Sequence, residues 1–276
     1  MDMKQSFGTE IKKRRIAKKI SQKVLCEGIC SQPMLSSIEA GKYVPNGKIL
    51  IQLCQRLEID ADLLVLHDHY QIGNKKDLNE TCERLCNAHK YLELAAFLQQ
   101  DSVVDSIETS EQTQAYYYYL ACSQFHIEKN MKTCKQNFHL ALAEADVQRT
   151  KETLTRLILA CLGVVAVKEG QVKQSEQYFK QVFSDLERIN YERNQNILYY
   201  LYGMALFLQN NYSKAAQILE KGIQFTSQHD AHFMLANIFF LLARIAERAE
   251  NEEVKTEARQ KSRLLKDIFN ESIYKI

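Results

Sequence analysis

The chain has 276 residues, 46% of them apolar, which exceeds one ordinary domain and suffices for full cores, so two domains are expected. Only two prolines and nine glycines interrupt it, and apolar residues at i, i+3 and i+4 dominate, which argues against strands and for an all-α protein. The formal charge of +2 conceals an asymmetry: residues 1–56 hold eleven Lys and Arg against four acids, so a head of +7 precedes a body of about −5. Such a head suits a polyanionic partner.

Several classes are excluded by composition. Residues 1–8 show no apolar run behind a basic start and do not read as a signal peptide. The most apolar stretches, 157–167 and 233–246, are interrupted or fall short of the roughly 20 residues a bilayer needs. The expectation is a cytoplasmic protein with no membrane partner. The eight cysteines include no C-x-x-C pair; Cys26/Cys30 and Cys82/Cys86 read as small buried residues, so no metal and no cofactor is expected. The other metal or acid-base hints, His67-Asp68-His69 and His229/His232, have no third ligand nearby in sequence, which argues against an enzyme.

Residues 1–69 read as a head of five short helices, followed by a linker over 70–76. The first helix is predicted over 7–18. Ser21 is a plausible N-cap for a second over 22–27, because its hydroxyl can accept an orphan N–H. Gly28 and Cys30 make the turn, Ser31 caps a third helix over 32–40, and Pro33 is tolerated in its first turn. Gly41 stops that helix and Pro45-Asn46 starts a fourth.

The string Ser21-Gln22-Lys23-x-Leu25, Ser31-Gln32, Ser36-Ser37-Ile38-Glu39-x-Gly41 and Pro45 resembles the helix-turn-helix of the phage-repressor and Xre class, a lambda-repressor-like domain. The resemblance implies that the third helix lies in the major groove of double-stranded operator DNA. With Leu35 and Ile38 turned to the core, Gln32, Pro33, Ser36 and Ser37 face outward as base contacts, and Gln32 alone is able to make a bidentate contact, which favours adenine. Phosphate contacts then fall to Gln22, Lys23, Lys42, Asn46 and Lys48. The same resemblance implies that Arg15 pairs with Glu39 and ties the first helix to the third.

From residue 77 to 276 the sequence repeats. Small residues recur at Cys82, Cys122, Gly163, Gly203 and Ala243; sixteen positions after each come Leu98, Phe138, Phe179, Leu219 and Arg259. This register resembles that of tetratricopeptide helix pairs, with a period longer than the usual 34 or so residues. It implies a right-handed α-solenoid of about five pairs, whose polar fifth repeat serves as a cap. Cys82, Cys122 and Cys134 then hold packing positions.

Stacked pairs create a concave face, read at −6, −3, +1 and +4 from each small residue. This gives Tyr116, Tyr119, Ser123 and His126 from the second repeat, and Val164 and Val167 with Lys168 beside them from the third. It adds Tyr200, Met204 and Phe207 from the fourth, and Asn237, Phe240 and Arg244 with Arg248 from the fifth. A face this apolar suits a short peptide, whose side chains would enter between Phe207, Met204, Tyr200, Val164 and Val167 while Lys168, Arg244 and Arg248 orient an acidic group. The bland alternative is that these helices bury the face against each other or a second subunit.

Head and repeats together resemble the peptide-pheromone regulators of Gram-positive bacteria, the PlcR-like branch of the Rgg/NprR/PlcR/PrgX family. The resemblance implies a homodimer, a short signalling peptide in the repeat groove and control of operator binding or activation. Relatives often hold the peptide backbone with groove asparagines, and Asn237 is the one such residue found here. The rival reading keeps the helix-turn-helix and gives the repeats only dimerisation or protein recruitment.

Overall fold

The computed structural model describes residues 3–43, 45, 47–57, 70–127, 131–145 and 152–274, and among them every regular element is helical. Two compact units are present, Met1–Asp68 and His69–Ile276.

In the first unit, α1 (Met3–Ala17), α2 (Gln22–Cys26), α3 (Gln32–Glu39) and α4 (Gly47–Leu57) close around Ile11, Leu25, Leu35, Ile38, Leu53 and Leu57, all buried. The hydroxyl of Ser21 accepts from the Val24 N–H and that of Ser31 from the Met34 N–H, each at 3.3 Å, so both helices start on a side-chain cap. Gly41 adopts φ 69° after α3, a conformation that costs a glycine little. A Cβ at Gly8 would run into the Ile38 carbonyl, so the lack of a side chain there lets α1 approach α3. Ile16 and Val24, although apolar, lie on the outer faces at 57% and 54% exposure. The expected fifth helix, Asn46, and the His67-Asp68-His69 run lie outside the described residues.

Among its described residues the second unit contains five helix pairs. They are α5 (Lys76–Asn87) with α6 (Tyr91–Leu98), α8 (Ser110–Ile127) with α9 (Met131–Ala143), α10 (Thr153–Lys168) with α11 (Val172–Val182), α12 (Gln195–Leu208) with α13 (Tyr212–Gln228), and α14 (Leu235–Arg248) with α15 (Glu252–Phe269). A short α7 (Asp101–Val104) joins the first two pairs, and a 3₁₀ turn over Leu186–Arg188 follows the third. The segment expected as a linker packs onto this unit instead. Ile72 is fully buried and its N–H donates to Asn79 Oδ1 at 2.9 Å, while Tyr70 sets its ring edge against Tyr118. Two large apolar side chains give the segment surface to bury, which its polar neighbours obscured.

The repeat has a backbone cause. The first helices of four pairs end on a left-handed residue, His89, Gly170, Asn210 and Glu250, with φ of 55°, 76°, 59° and 54°. The next N–H then returns to the last turn: Lys90 to Leu85, Gln171 to Ala166, Asn211 to Leu206 and Asn251 to Ala246, at 2.8–3.0 Å. Asn211 and Asn251 also cap the following helices through their side chains. In the third and fourth pairs the small residue meets the apolar residue sixteen positions on: Gly163 faces Phe179, and a Cβ on Gly203 would come within 2.5 Å of Leu219 Cδ2.

Between pairs, two buried side-chain amides are matched. Gln114 Nε2 donates to Thr155 Oγ1 at 3.1 Å and Gln195 Nε2 to Thr153 Oγ1 at 3.3 Å. Within the third pair, Arg156 of α10, 2% exposed, donates to the Val182 and Ser184 carbonyls at the end of α11. These bonds offset the desolvation that would otherwise penalise a buried amide or guanidinium. Among the described residues no helix is long and apolar enough to cross a membrane.

Candidate nucleic-acid interface and groove

The start of α3 is a solvent-facing edge. Gln32, Pro33 and Ser36 are exposed, and Ser37 is half-buried with its carbonyl accepting from the Lys42 and Tyr43 N–H groups. Lys23, Lys42 and Lys48 are exposed around it. Gln22 is placed differently from a free phosphate contact, because its side-chain nitrogen donates to Glu39 Oε2 at 2.8 Å. A half-buried amide beside a buried carboxylate finds its partner inside the unit.

Arg15 and Glu39 meet in a two-pronged pair, Nε to Oε1 at 2.6 Å and Nη2 to Oε2 at 3.0 Å, and Arg15 Nη1 also donates to the Ile20 carbonyl. Burial pushes the Glu39 carboxyl up, but the hydrogen bonds from Arg15 and Gln22, with the charges of Arg15 and Lys12, outweigh it and hold the group below its ordinary value. Arg56 has an architectural place as well, donating to the Leu25 and Glu27 carbonyls at the C-terminal end of α2.

In the second unit a cavity of about 330 Å³ opens between the first helices of the middle repeats. Its walls are Tyr118, Cys122, Phe125 and His126 of α8, Cys161, Val164 and Lys168 of α10, and Ile197, Tyr200, Leu201, Met204 and Leu208 of α12. Cys86, Tyr91, Phe138 and Tyr274 complete the lining. Of the groove residues read from sequence, His126, Val164, Lys168, Tyr200 and Met204 are brought together here.

The others are not. Tyr119 and Ser123 are buried inside the repeats, with the Ser123 hydroxyl donating to the Leu120 carbonyl at 2.7 Å. Tyr116 is half-buried edge-on to Tyr117, and Val167 packs at the margin of the core. Phe207 belongs to the core of the last two repeats, beside the Tyr212 ring. Arg244 pairs with Glu247 at 3.4 Å and Arg248 is exposed. The reason is helical geometry. At about 100° per residue the offsets −3, +1 and +4 share one face of a helix, but that face does not line the cavity in every repeat: the wall runs at −2, +1 and +5 in α10 and at −4, 0, +3 and +4 in α8, so the lining face rotates from one repeat to another.

Phe240 lines a second, open hollow of about 960 Å³, whose cations are Arg259, Arg263 and Lys266 of α15. Sequence reasoning passed over these three because it took the polar fifth repeat for a solubility cap. The excess of basic over apolar residues along 259–266 was the available signal.

Chemically the cavity is apolar with few polar groups. Lys168 Nζ sits 4.2 Å from the Phe125 ring centroid, a cation–π contact, and burial lowers its pKa. The His126 ring stacks on Tyr91 at 3.9 Å; burial, with His89 and Lys168 nearby, brings its pKa down to about 4, so it is neutral at physiological pH. The buried hydroxyl of Tyr200 has no hydrogen-bond partner among the described residues. Burial pushes the Cys86 thiol up, and a hydrogen bond with Cys161 together with burial does the same for Cys122, which disfavours thiolates. Among the described residues no three His, Cys, Asp or Glu gather as a metal group.

Comparison with known proteins places this architecture. The RNPP family C-terminal domain matches residues 79–276, and a helix-turn-helix domain matches residues 11–64. The chain belongs to the RNPP family. It is a helix-turn-helix transcription regulator of that family and not an enzyme. The fold of this RNPP-family protein is similar to that of Bacillus thuringiensis PlcR in complex with the peptide PapR7 and DNA, at 20% identity and a TM-score of 0.64 over 96% of both chains. Apo PlcR from the same organism matches at 19% and 0.56, covering 96% of this chain and 95% of that one. ComR from S. thermophilus, in complex with DNA and its signalling peptide ComS, matches at 15% and 0.53, covering 96% and 94%. A search of curated protein sequences found no match.

Proposed function

We propose that this RNPP-family chain is a cytoplasmic homodimer that binds duplex operator DNA through its first unit and a short signalling peptide in the groove of its second. The single observation that carries the peptide reading is the 330 Å³ cavity, apolar and aromatic, with a cation at Lys168 and an orphan hydroxyl at Tyr200. A face that only packed repeat against repeat would leave no such space. The structural relatives named above include complexes with DNA and with peptides, which fits the same reading.

For the first unit, Gln32, Pro33, Ser36 and Ser37 are the base-reading set, with Lys23, Lys42, Asn46 and Lys48 on phosphates. One such module makes too few phosphate contacts for operator affinity, which favours a dimer on paired half-sites. Native mass spectrometry of protein purified from its own host tests the whole reading. The expected species is a dimer carrying added peptide mass that is released on acidification; a bare chain, even after incubation with host culture supernatant, overturns the peptide assignment.

A further inference from the structure

After α15 the chain turns at Asn270, in the left-handed region at φ 49°, and residues 271–274 lie against the start of α14. This short segment is held as a bound peptide is held. The Asn237 side chain grips its backbone on both sides of Ile273: Nδ2 donates to the Ser272 carbonyl at 3.0 Å, and Oδ1 accepts from the Tyr274 N–H at 2.8 Å. One amide matched to one carbonyl and one N–H recognises extended backbone whatever its sequence. The Glu271 carboxylate accepts from the Met234 and Asn237 N–H groups at 3.1 and 3.3 Å and from Asn237 Nδ2 at 2.6 Å, at the start of α14.

The side chain that follows the clamp enters an aromatic slot. The Tyr274 ring stacks on His89 at 4.0 Å, on Tyr200 at 5.6 Å and on His126 at 6.2 Å, and its hydroxyl bonds to Tyr91. Tyr274 thereby forms part of the cavity wall. Asn237 is 1% exposed, so its amide serves this segment and is not solvated.

We infer that Asn237 and the slot between His89, Tyr91, His126 and Tyr200 form a peptide subsite that residues 271–274 fill in cis. An incoming peptide engages it by offering extended backbone and an aromatic side chain, and it must displace the protein's own C-terminal segment to do so. The segment is thus an internal competitor that raises the peptide concentration needed for a response. The competition with a signal rests on the peptide reading above; the occupancy in cis does not.

The test uses a fluorescently labelled hexapeptide with the sequence of residues 271–276, Glu-Ser-Ile-Tyr-Lys-Ile, and anisotropy titrations against three proteins. A chain ended after Asn270 is expected to bind it at least tenfold more tightly than the full chain does, and not to bind the hexapeptide with alanine in place of tyrosine. Full-length Tyr274→Ala, which keeps the backbone of the segment, gives the same order with a smaller gain, so the idea remains testable should the shortened chain not fold. Equal binding to the full chain and to both variants, or binding indifferent to the tyrosine, overturns the inference. If the hexapeptide exchanges as expected while no host peptide is ever found on the protein, the occupancy stands, and the signalling role falls with the peptide reading.

Discussion

The α-carbon of Gly163 lies so near the ring of Phe179 that a Cβ on it would come within 2.7 Å of Cε2. The two residues are sixteen apart and belong to the paired helices of the third repeat. Replacing glycine by alanine inside a helix ordinarily gains roughly 0.5–1 kcal/mol from reduced backbone freedom. Here the ring must move within a packed core, which costs about 1–3 kcal/mol. The net expectation for Gly163→Ala is a loss of about 1 kcal/mol or more in urea unfolding, relieved when Phe179→Leu is combined with it. A stabilised single variant would show that the helices have room to separate.

Glu39 ties α1, α2 and α3 together through Arg15 and Gln22. Their side chains are 13% (Arg15) and 3% (Glu39) exposed, so Glu39→Ala strands a mostly buried guanidinium, at a cost of about 3 kcal/mol, the lower end for a broken buried pair. The pH dependence has a definite sign. A carboxyl held below its ordinary 4.5 contributes its full stability above that value and loses it as pH falls through the lower folded value. Thermal melts of parent and Glu39→Ala are therefore expected to differ at pH 7 and to converge in acid below about 4.5. A gap of unchanged size at pH 3 contradicts the assignment of the shift to this pair.

Gln32 and Lys48 are both exposed, and the proposal gives them different tasks on DNA, a base contact and a phosphate contact. Gln32→Ala removes a bidentate base contact and is expected to cost about 1–3 kcal/mol of discrimination at one base pair. Lys48→Ala removes one phosphate contact, so all sequences weaken alike and the salt dependence of binding falls by about one counterion. Competition titrations with single-base operator variants, run at two salt concentrations, separate the two. An unchanged preference in Gln32→Ala means that another element reads the groove.

The fold was legible because its determinants are local. Ser21 and Ser31 announce their helices in sequence, and the spacing from Gly203 to Leu219 is set by helix length and a fixed turn. The groove was legible only in part. Val164, Tyr200 and Met204 could be placed from register alone, whereas Phe207, one position from the wall residue Leu208, turns into the core. A one-residue error rotates a helical side chain by about 100°, and no repeat unit announces its own rotation. The contacts of Asn237 with Ser272 and Tyr274 span about 35 residues and depend on a turn of the chain at Asn270, which asparagine permits without a glycine to mark it.

Tyr200 gives the last prediction, because its buried hydroxyl is unmatched while its ring is fully used. The residue is 2% exposed, its ring stacks against Tyr274, and among the described residues no atom bonds its oxygen. A buried hydroxyl left unpaired costs about 1–3 kcal/mol. Tyr200→Phe keeps the ring and removes that penalty, so the peptide-free protein is expected to become more stable by about 1 kcal/mol. If the hydroxyl is kept for a ligand, the same change weakens binding of the host-derived peptide by about tenfold, the equivalent of one hydrogen bond to a buried partner. Stability and affinity then move in opposite directions, which a merely structural tyrosine does not produce. Paired urea unfolding and peptide titration of the one variant decide it: a gain in stability with unchanged affinity makes Tyr200 a packing residue, and a loss of stability means that the hydroxyl is already matched in the folded protein.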